Sequence, residues 1–302
     1  MAVFEYANPL EIRNCAMNFP LTPDPIEMEL KLGLREITPR QVDLHLSSLE
    51  PTVQKAGTSL LENQYFDTPD SLLYALGVAL RTRFKKGSYE MTVKIKKPDQ
   101  GAVSIRQEWN IALPSSVLDY EQLLALPLPE LALETIEKRR LGPSFMNKFE
   151  RTDWCVTLED TTTIVSLDMG LVKSGNRSSP VFELELELME GEVDLLVDLG
   201  LRLSDKLPSF MAVISKVERG ERILRDQAPI LDIHPTDRLG WLHRLSRALD
   251  PLSGPNPLVA FEALVECGDP IALASFGEPL ARGELPFGLA RWMVMYSLEI
   301  CP

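Results

Sequence analysis

Residues 26–32 run Ile26-Glu27-Met28-Glu29-Leu30-Lys31-Leu32, apolar and charged in unbroken alternation. A period of two marks a strand, which sets Glu27, Glu29 and Lys31 on one face and Ile26, Met28, Leu30 and Leu32 on the other. The pattern returns in Phe182-Glu183-Leu184-Glu185-Leu186-Glu187-Leu188, now with three acids on a face. Like charges side by side repel unless something positive stands before them. A divalent cation is the obvious counter-charge.

The same alternation runs through most of the first 190 residues. It predicts strands at about 25–34, 58–67, 78–85, 88–97, 102–112, 148–158, 162–173 and 181–189. Thr38-Pro39 starts a helix reaching about Leu49, because Thr caps and Pro suits the first turn. Lys86-Gly87-Ser88 and Pro98-Asp99-Gln100-Gly101 read as hairpin turns. Helical material is expected at 119–140, from 192 to 202, and from Ser215 onward. Beyond Pro229 and Pro235 the period-two pattern stops, and helical spacing takes over near 241–249, 258–267, 270–282 and 288–300. The chain therefore divides into an extension (1–24), a strand-rich unit (25–228) and a short helical region (229–302). That last region is too short for an independent domain and is expected to pack on the barrel or on a partner, a homodimer through its helices being one form of the latter.

Alternating strands suit either a sheet with one solvated face or a closed barrel with a polar lumen. Charge sorting favours the lumen. Arg81, Arg83, Lys94, Lys96 and Arg106 bring positive charge to three consecutive strands, while Glu27, Glu29, Glu183, Glu185 and Glu187 fall on the first and last. A solvated face has no reason to sort charge by strand; a lumen holding a polyanion and its metal does. Arginine offers forked, fixed contacts to phosphate and lysine a mobile point charge. Carboxylates suit hard cations such as Mg²⁺ or Mn²⁺, which neutralise phosphate charge and lower the pKa of bound water.

The net charge of −13 disfavours nucleic acid or an anionic membrane surface as the main partner. Cys15, Cys155, Cys267 and Cys301 are scattered without metal-ligand spacing and read as reduced, packed thiols. No apolar run approaches the roughly 20 residues of a membrane span, and no signal peptide is legible, so a cytoplasmic protein is expected. His45, His234 and His243 lie far apart, and neither a phosphate-binding GxxxxGK[ST] loop nor a GxSxG elbow occurs.

Glu27-Met28-Glu29-Leu30-Lys31 resembles the ExExK signature of the CYTH superfamily, the triphosphate tunnel metalloenzymes. Tyr65-Phe66-Asp67-Thr68-Pro69, Leu80-Arg81-Thr82-Arg83, Thr92-Val93-Lys94, Arg106-Gln107-Glu108, Leu167-Asp168-Met169-Gly170, Glu183-Leu184-Glu185-Leu186-Glu187 and Ser215-Lys216-Val217-Glu218-Arg219-Gly220 follow in the family's order. The ordered set spans about 25–225. It implies an α+β fold: an eight-stranded antiparallel β-barrel tunnel with a polar lumen and flanking helices, followed here by the short C-terminal helical region. It implies tripolyphosphate or an organic triphosphate inside, with Mg²⁺ or Mn²⁺. By position, Glu27, Glu29, Glu183, Glu185, Glu187 and Asp168 correspond to metal-site acids, and Asp168 and Glu108 to lumen residues that orient water, metal or basic side chains. Lys31, Arg81, Arg83, Lys94, Lys96, Arg106, Arg151 and Lys216 correspond to phosphate binders, Lys96 at the tunnel mouth. Glu29, Lys31 and Lys94 are the catalytic candidates. Within the family the chain most resembles bacterial inorganic triphosphatases, which cut tripolyphosphate to pyrophosphate and phosphate. A class IV adenylate cyclase, a thiamine or nucleoside triphosphatase, and a non-catalytic polyphosphate-binding module are the alternatives.

Overall fold

A computed structural model describes residues 25–49, 52–138, 140–227, 235–253 and 256–300. The expected extension 1–24, the prolyl junction at 229, His234, Cys15 and Cys301 lie outside these.

Strand β1 (Ile26–Leu34) leads to helix α1 (Pro39–Ser47), whose start is a full capping box between Thr38 and Gln41 with Pro39 in the first turn. Then follow β2 (Thr52–Asp67), α2 (Leu72–Ala75), β3 (Val78–Lys85), β4 (Ser88–Lys96), β5 (Val103–Leu113), α3 (Tyr120–Leu124), α4 (Glu130–Glu137), β6 (Gly142–Leu158), β7 (Thr161–Ser174) and β8 (Arg177–Glu190). The chain continues through α5 (Val193–Ser204), β9 (Ser209–Met211), α6 (Lys216–Leu224), α7 (Arg238–Leu249), a 3₁₀ turn at Pro251–Ser253, α8 (Pro257–Cys267), α9 (Pro270–Ala281) and α10 (Leu289–Ile300).

The sheet order is β5-β4-β3-β2-β6-β7-β8-β1-β9, and β1 also pairs with β5, which closes the first eight strands into a barrel. Every pairing in the ring is antiparallel. Going round this ring, β3 stands four strands from β8 in both directions, so the two face each other across the lumen. Strand β9 continues the β5 edge of β1, pairing Leu32 with Met211 where β5 has ended.

Strands β2, β6 and β8 start earlier than the alternation predicts. Strand β2 starts at Thr52, because Gly57 takes a positive φ at a bulge that shifts the register against β6 and interrupts the period-two signal. Strand β6 starts at Gly142, where Pro143 opens the strand. The expected helical span 119–140 is broken into α3 and α4 by Pro127 and Pro129. The three-residue β9 carries too few side chains to show a period.

Both faces of β1 are buried. Leu30 and Leu32 are fully covered, yet Glu27, Glu29 and Lys31 are also under a tenth exposed. One apolar core joins the outer faces of β1 and β6–β8 to α1, α5 and the C-terminal helices, through residues such as Leu30, Leu186, Leu199, Leu245 and Met293. A second lies between β3–β5 and α2–α4, around Leu80, Val93, Leu123 and Ile136. A small third cluster, Tyr65, Phe145, Val172, Val181 and Ile223, joins β2 and β6–β8 to α6. Gly170 permits the close passage of β7 over β6: a Cβ there would lie 2.3 Å from Lys148 O and 2.5 Å from Phe149 Cα. Backbone cannot yield as a side chain can, so Gly170→Ala is expected to cost about 2–3 kcal/mol in thermal or urea unfolding. Gly142→Ala, which meets nothing within 4 Å, should stay within about 0.5 kcal/mol of the parent.

Candidate active site

The strand register brings the charged residues together in pairs. On β4 and β5, Lys94 lies opposite Glu108; on β1 and β8, Lys31 lies opposite Glu185; on β6 and β7, Arg151 lies opposite Asp168. Lys94 Nζ is 2.6 Å from Glu27 and 3.0 Å from Glu108. Arg106 donates to Glu29 at 3.0 Å. Lys31 sits 3.1 Å from Glu29 and 3.2 Å from Glu185. Arg151 forks onto Asp168, with bonds of 2.7 and 2.6 Å, and reaches Glu185 as well. Lys216, from the first turn of α6, enters among Asp168, Glu183 and Glu185, at 2.7 Å from Asp168 and Glu185.

Carboxylate oxygens gather into two groups, each within 4.8 Å: Glu27, Glu108 and Glu187, and Asp168, Glu183 and Glu185. The sequence-derived metal residues are thus split. Glu29 belongs to neither group and lies among Lys31, Arg106 and Glu185. Glu108, read from sequence as orienting water, metal or basic side chains, joins the first group as a candidate ligand. The second is already paired with Lys216, Arg151 and, at Glu185, Lys31. In the first, Glu27 Oε2 is buried and accepts no hydrogen bond, and Glu187 forms no ion pair among the described residues.

Electrostatics separates the two groups. Burial, reinforced by Glu27 and Glu108, pushes the Glu187 carboxyl up to about 8. Burial and Glu185 raise Glu29 to about 7. Burial works against ionisation of Glu185 too, but Lys216, Lys31 and Arg151 outweigh it and hold that group well below the carboxylate range. Lys94 and Arg81 likewise bring Glu108 down to about 2 against the effect of burial. Asp168, Glu183 and Glu185 likewise hold the Lys216 ammonium well above its ordinary value against burial.

Arg81 and Arg83 differ from the other bases. Both are on β3, the strand across from β8, and neither has a carboxylate within ion-pair distance among the described residues. Arg81 is 9% exposed, bonds to the Tyr65 phenol, and leaves its Nε without a partner. Arg83 donates to Asn63 Oδ1 at 2.7 Å, and Asn63 in turn donates to Asn147 Oδ1 at 2.5 Å. Burial, with Arg81 and Arg151 close by, pushes the Arg83 guanidinium down to about 10. A site where guanidinium is destabilised by its own kind is one prepared for an anion.

Lys96 stands apart, with its side chain 66% exposed and 3.6 Å from Asp99, at the rim. Sequence reading missed Asn63, Asn147 and Tyr65, which orient Arg81 and Arg83. Near Asn63 polar residues fall on both faces (Glu62, Asn63, Gln64), so no alternation singled it out.

The raised Glu187 carboxyl gives a pH dependence of stability. Its folded value of about 8 exceeds 4.5, so the metal-free folded chain binds more protons than the unfolded one between those values, and stability falls as pH rises through that window. The lowered carboxyls Glu108 and Glu185 titrate below it. Denaturation in chelator from pH 4.5 to 8 should therefore show wild type losing stability relative to Glu187→Gln, with the gap widening towards pH 8.

Residues 25–220 match the family model of the CYTH domain. The chain is 28% identical over 194 residues to an inorganic triphosphatase of Haemophilus influenzae, an alignment covering 64% of this chain and 54% of the relative. It thus spans about half the length of the curated relative it matches. Among solved structures it is similar to a candidate adenylyl cyclase from Hippeastrum with a dominant triphosphatase activity, at 21% identity and TM-score 0.46, covering 69% of this chain and all of the other. A candidate adenylate cyclase from Bacillus halodurans is 18% identical with TM-score 0.39, covering 60% of this chain and 89% of the other. At such scores these two likenesses carry no function. With the family model over some two thirds of its length, a closed antiparallel barrel and a charged lumen, the chain belongs to the CYTH domain family.

Proposed function

We propose that the lumen binds and hydrolyses inorganic triphosphate with the help of a divalent cation, releasing pyrophosphate and phosphate. The observation that carries this reading is the pair of buried Arg81 and half-buried Arg83, without carboxylate partners among the described residues, on the wall opposite the acid strand β8. Buried guanidinium is costly unless an anion compensates it, and a phosphate chain matches its forked donors. The other bases are held by carboxylates and would exchange them for phosphate oxygens: Lys31, Lys94, Arg106, Arg151 and Lys216.

The residues present fit a hard divalent ion such as Mg²⁺ or Mn²⁺. Glu27, Glu108 and Glu187 converge, Glu27 Oε2 lacks a donor, and Glu187 is held protonated up to about 8 by burial and its acid neighbours. When bound, such an ion supplies charge neutralisation on phosphoryl oxygens and acidifies coordinated water. The chain's own contribution is to hold the phosphates in line and to balance charge as the bridging P–O bond breaks. Water oxygen bonds to a terminal phosphorus, the bridging oxygen leaves on pyrophosphate, and the water's proton needs an acceptor. Glu29, at about 7 through burial and Glu185, ionises in the range suited to that task. In the family's alternative chemistry a ribose hydroxyl attacks the α-phosphate, and no feature among the described residues favours it.

The test is phosphate release from tripolyphosphate, ATP and thiamine triphosphate in Mg²⁺ or Mn²⁺, with cyclic nucleotide measured in parallel. Tripolyphosphate is expected to give the highest kcat/KM, with no activity in EDTA. Arg81→Ala should lower kcat/KM by about 10²–10³-fold. Full activity in EDTA would sink the proposal, and tight binding without turnover in either metal would make the chain a polyphosphate-binding module.

A further inference from the structure

Lys216 reaches the lumen from outside the strand ring, so its ammonium is only as well placed as the segment that carries it. That segment is held from behind by α7. Ser246 Oγ donates to Met211 O at 2.6 Å and accepts from Val213 N at 3.2 Å, bracketing Ala212. Ala212 N in turn donates to the backbone carbonyl of Lys31, at 3.0 Å. Arg247 donates to Glu218 in the first turn of α6. Asp250, the residue that ends α7, accepts two bonds from Arg219 at 2.8 and 2.7 Å, and Arg219 also donates to Ser179 Oγ of β8 at 3.0 Å. Ser246 and Arg247 in the last turn of α7 and Asp250 just beyond its end thus grip residues 211–219, which include Lys216.

The grip is built for placement. Arg219 and Asp250 are 3% and 2% exposed, and a forked pair so buried tolerates loss of neither partner. Arg219 lies one turn from Lys216 in α6, so fixing its guanidinium fixes the rotation of the helix that aims the lysine. Where α6 meets the barrel it does so through Gly220, whose added Cβ would fall 2.1 Å from the Phe145 ring. Close backbone approach sets the depth of α6, and the charged contacts set its rotation.

We propose that α7 is the positioning element for Lys216, with Asp250 and Ser246 as its positioning residues, so that the C-terminal helical region sets where this ammonium meets the bound phosphate chain. For its ligand the proposal rests on the triphosphatase reading. It gives a share in the site to residues beyond 220, where the family match ends.

Asp250→Asn keeps the shape and one acceptor oxygen but removes the charge. Its kcat for tripolyphosphate is expected to fall about tenfold or more, the scale of a displaced active-site group. In a Lys216→Ala background the same substitution should change kcat by less than about twofold, because the group it positions is gone. Equal losses in both backgrounds, or wild-type kinetics in Asp250→Asn, overturn the proposal. Ser246→Ala runs the same cycle should Asp250→Asn fail to fold. Reductive methylation mapped by mass spectrometry reads Lys216 with no ligand present: protected in wild type, labelled faster in Asp250→Asn. Unchanged protection overturns the proposal. Absence of hydrolysis by a wild-type chain that shows this labelling difference would instead overturn the triphosphatase reading alone.

Discussion

Charge carried into a closed barrel has to find its counter-charge inside. Bulk water cannot supply it, and an uncompensated buried ion costs several kcal/mol. The lumen obeys this constraint strand by strand. The acids of β1 and β8 draw partners from β4, β5 and β6 and from α6, which are near enough for lysine and arginine to reach. Strand β3 is the one diametrically across from β8, and its Arg81 and Arg83 are the bases left over. On the acid side, Glu27 Oε2 and Glu29 Oε1 accept no hydrogen bond, and Glu187 forms no ion pair among the described residues. The barrel therefore retains a positive deficit on one wall and a negative deficit on the other. In the proposed function a polyanion together with a divalent cation answers both.

The apolar residues supply what the lumen cannot. Its ion pairs are too costly to desolvate to hold the barrel together, so stability is carried by the cores outside the ring, where burial of surface is favourable at roughly 25 cal/mol per Å². The core on β1 and β6–β8 runs without interruption into the C-terminal helices. The acid strands are thus the ones most fully backed, and Glu27, Glu29 and the β8 glutamates stand on a support that cannot shift to relieve their repulsion. The stacked rings of Tyr65 and Phe145 share a cluster with Ile223 of α6, so the lysine-bearing helix is seated on packing as well as on charge.

Much of this was legible in the chain. Period-two alternation named the eight barrel strands because each buries one face on a core and turns the other to a lumen of different polarity. Where both faces are polar, as at Glu62-Asn63-Gln64, or where a bulge breaks the period, as at Gly57, the signal faded and the strand began earlier than expected. Strand β9 was invisible because three residues have no period. The acids and bases of the site were named by the same alternation and by the family's ordered motifs, with Lys216 recoverable from the motifs alone because it sits on a helix.

What the sequence alone determined was which side chains share a face, since that depends only on backbone geometry at each residue. It could not determine who pairs with whom, because pairing depends on the order of strands around the ring and on their register. Tertiary structure decided that Glu108 joins Glu27 and Glu187, that Glu29 stands between lysine and arginine, and that Arg81 and Arg83 have no carboxylate partner among the described residues. It also decided that Asp250, far along the chain and outside any period-two segment, grips the helix that aims Lys216. Contacts between residues so distant in sequence leave no local pattern, and closure of the barrel makes them.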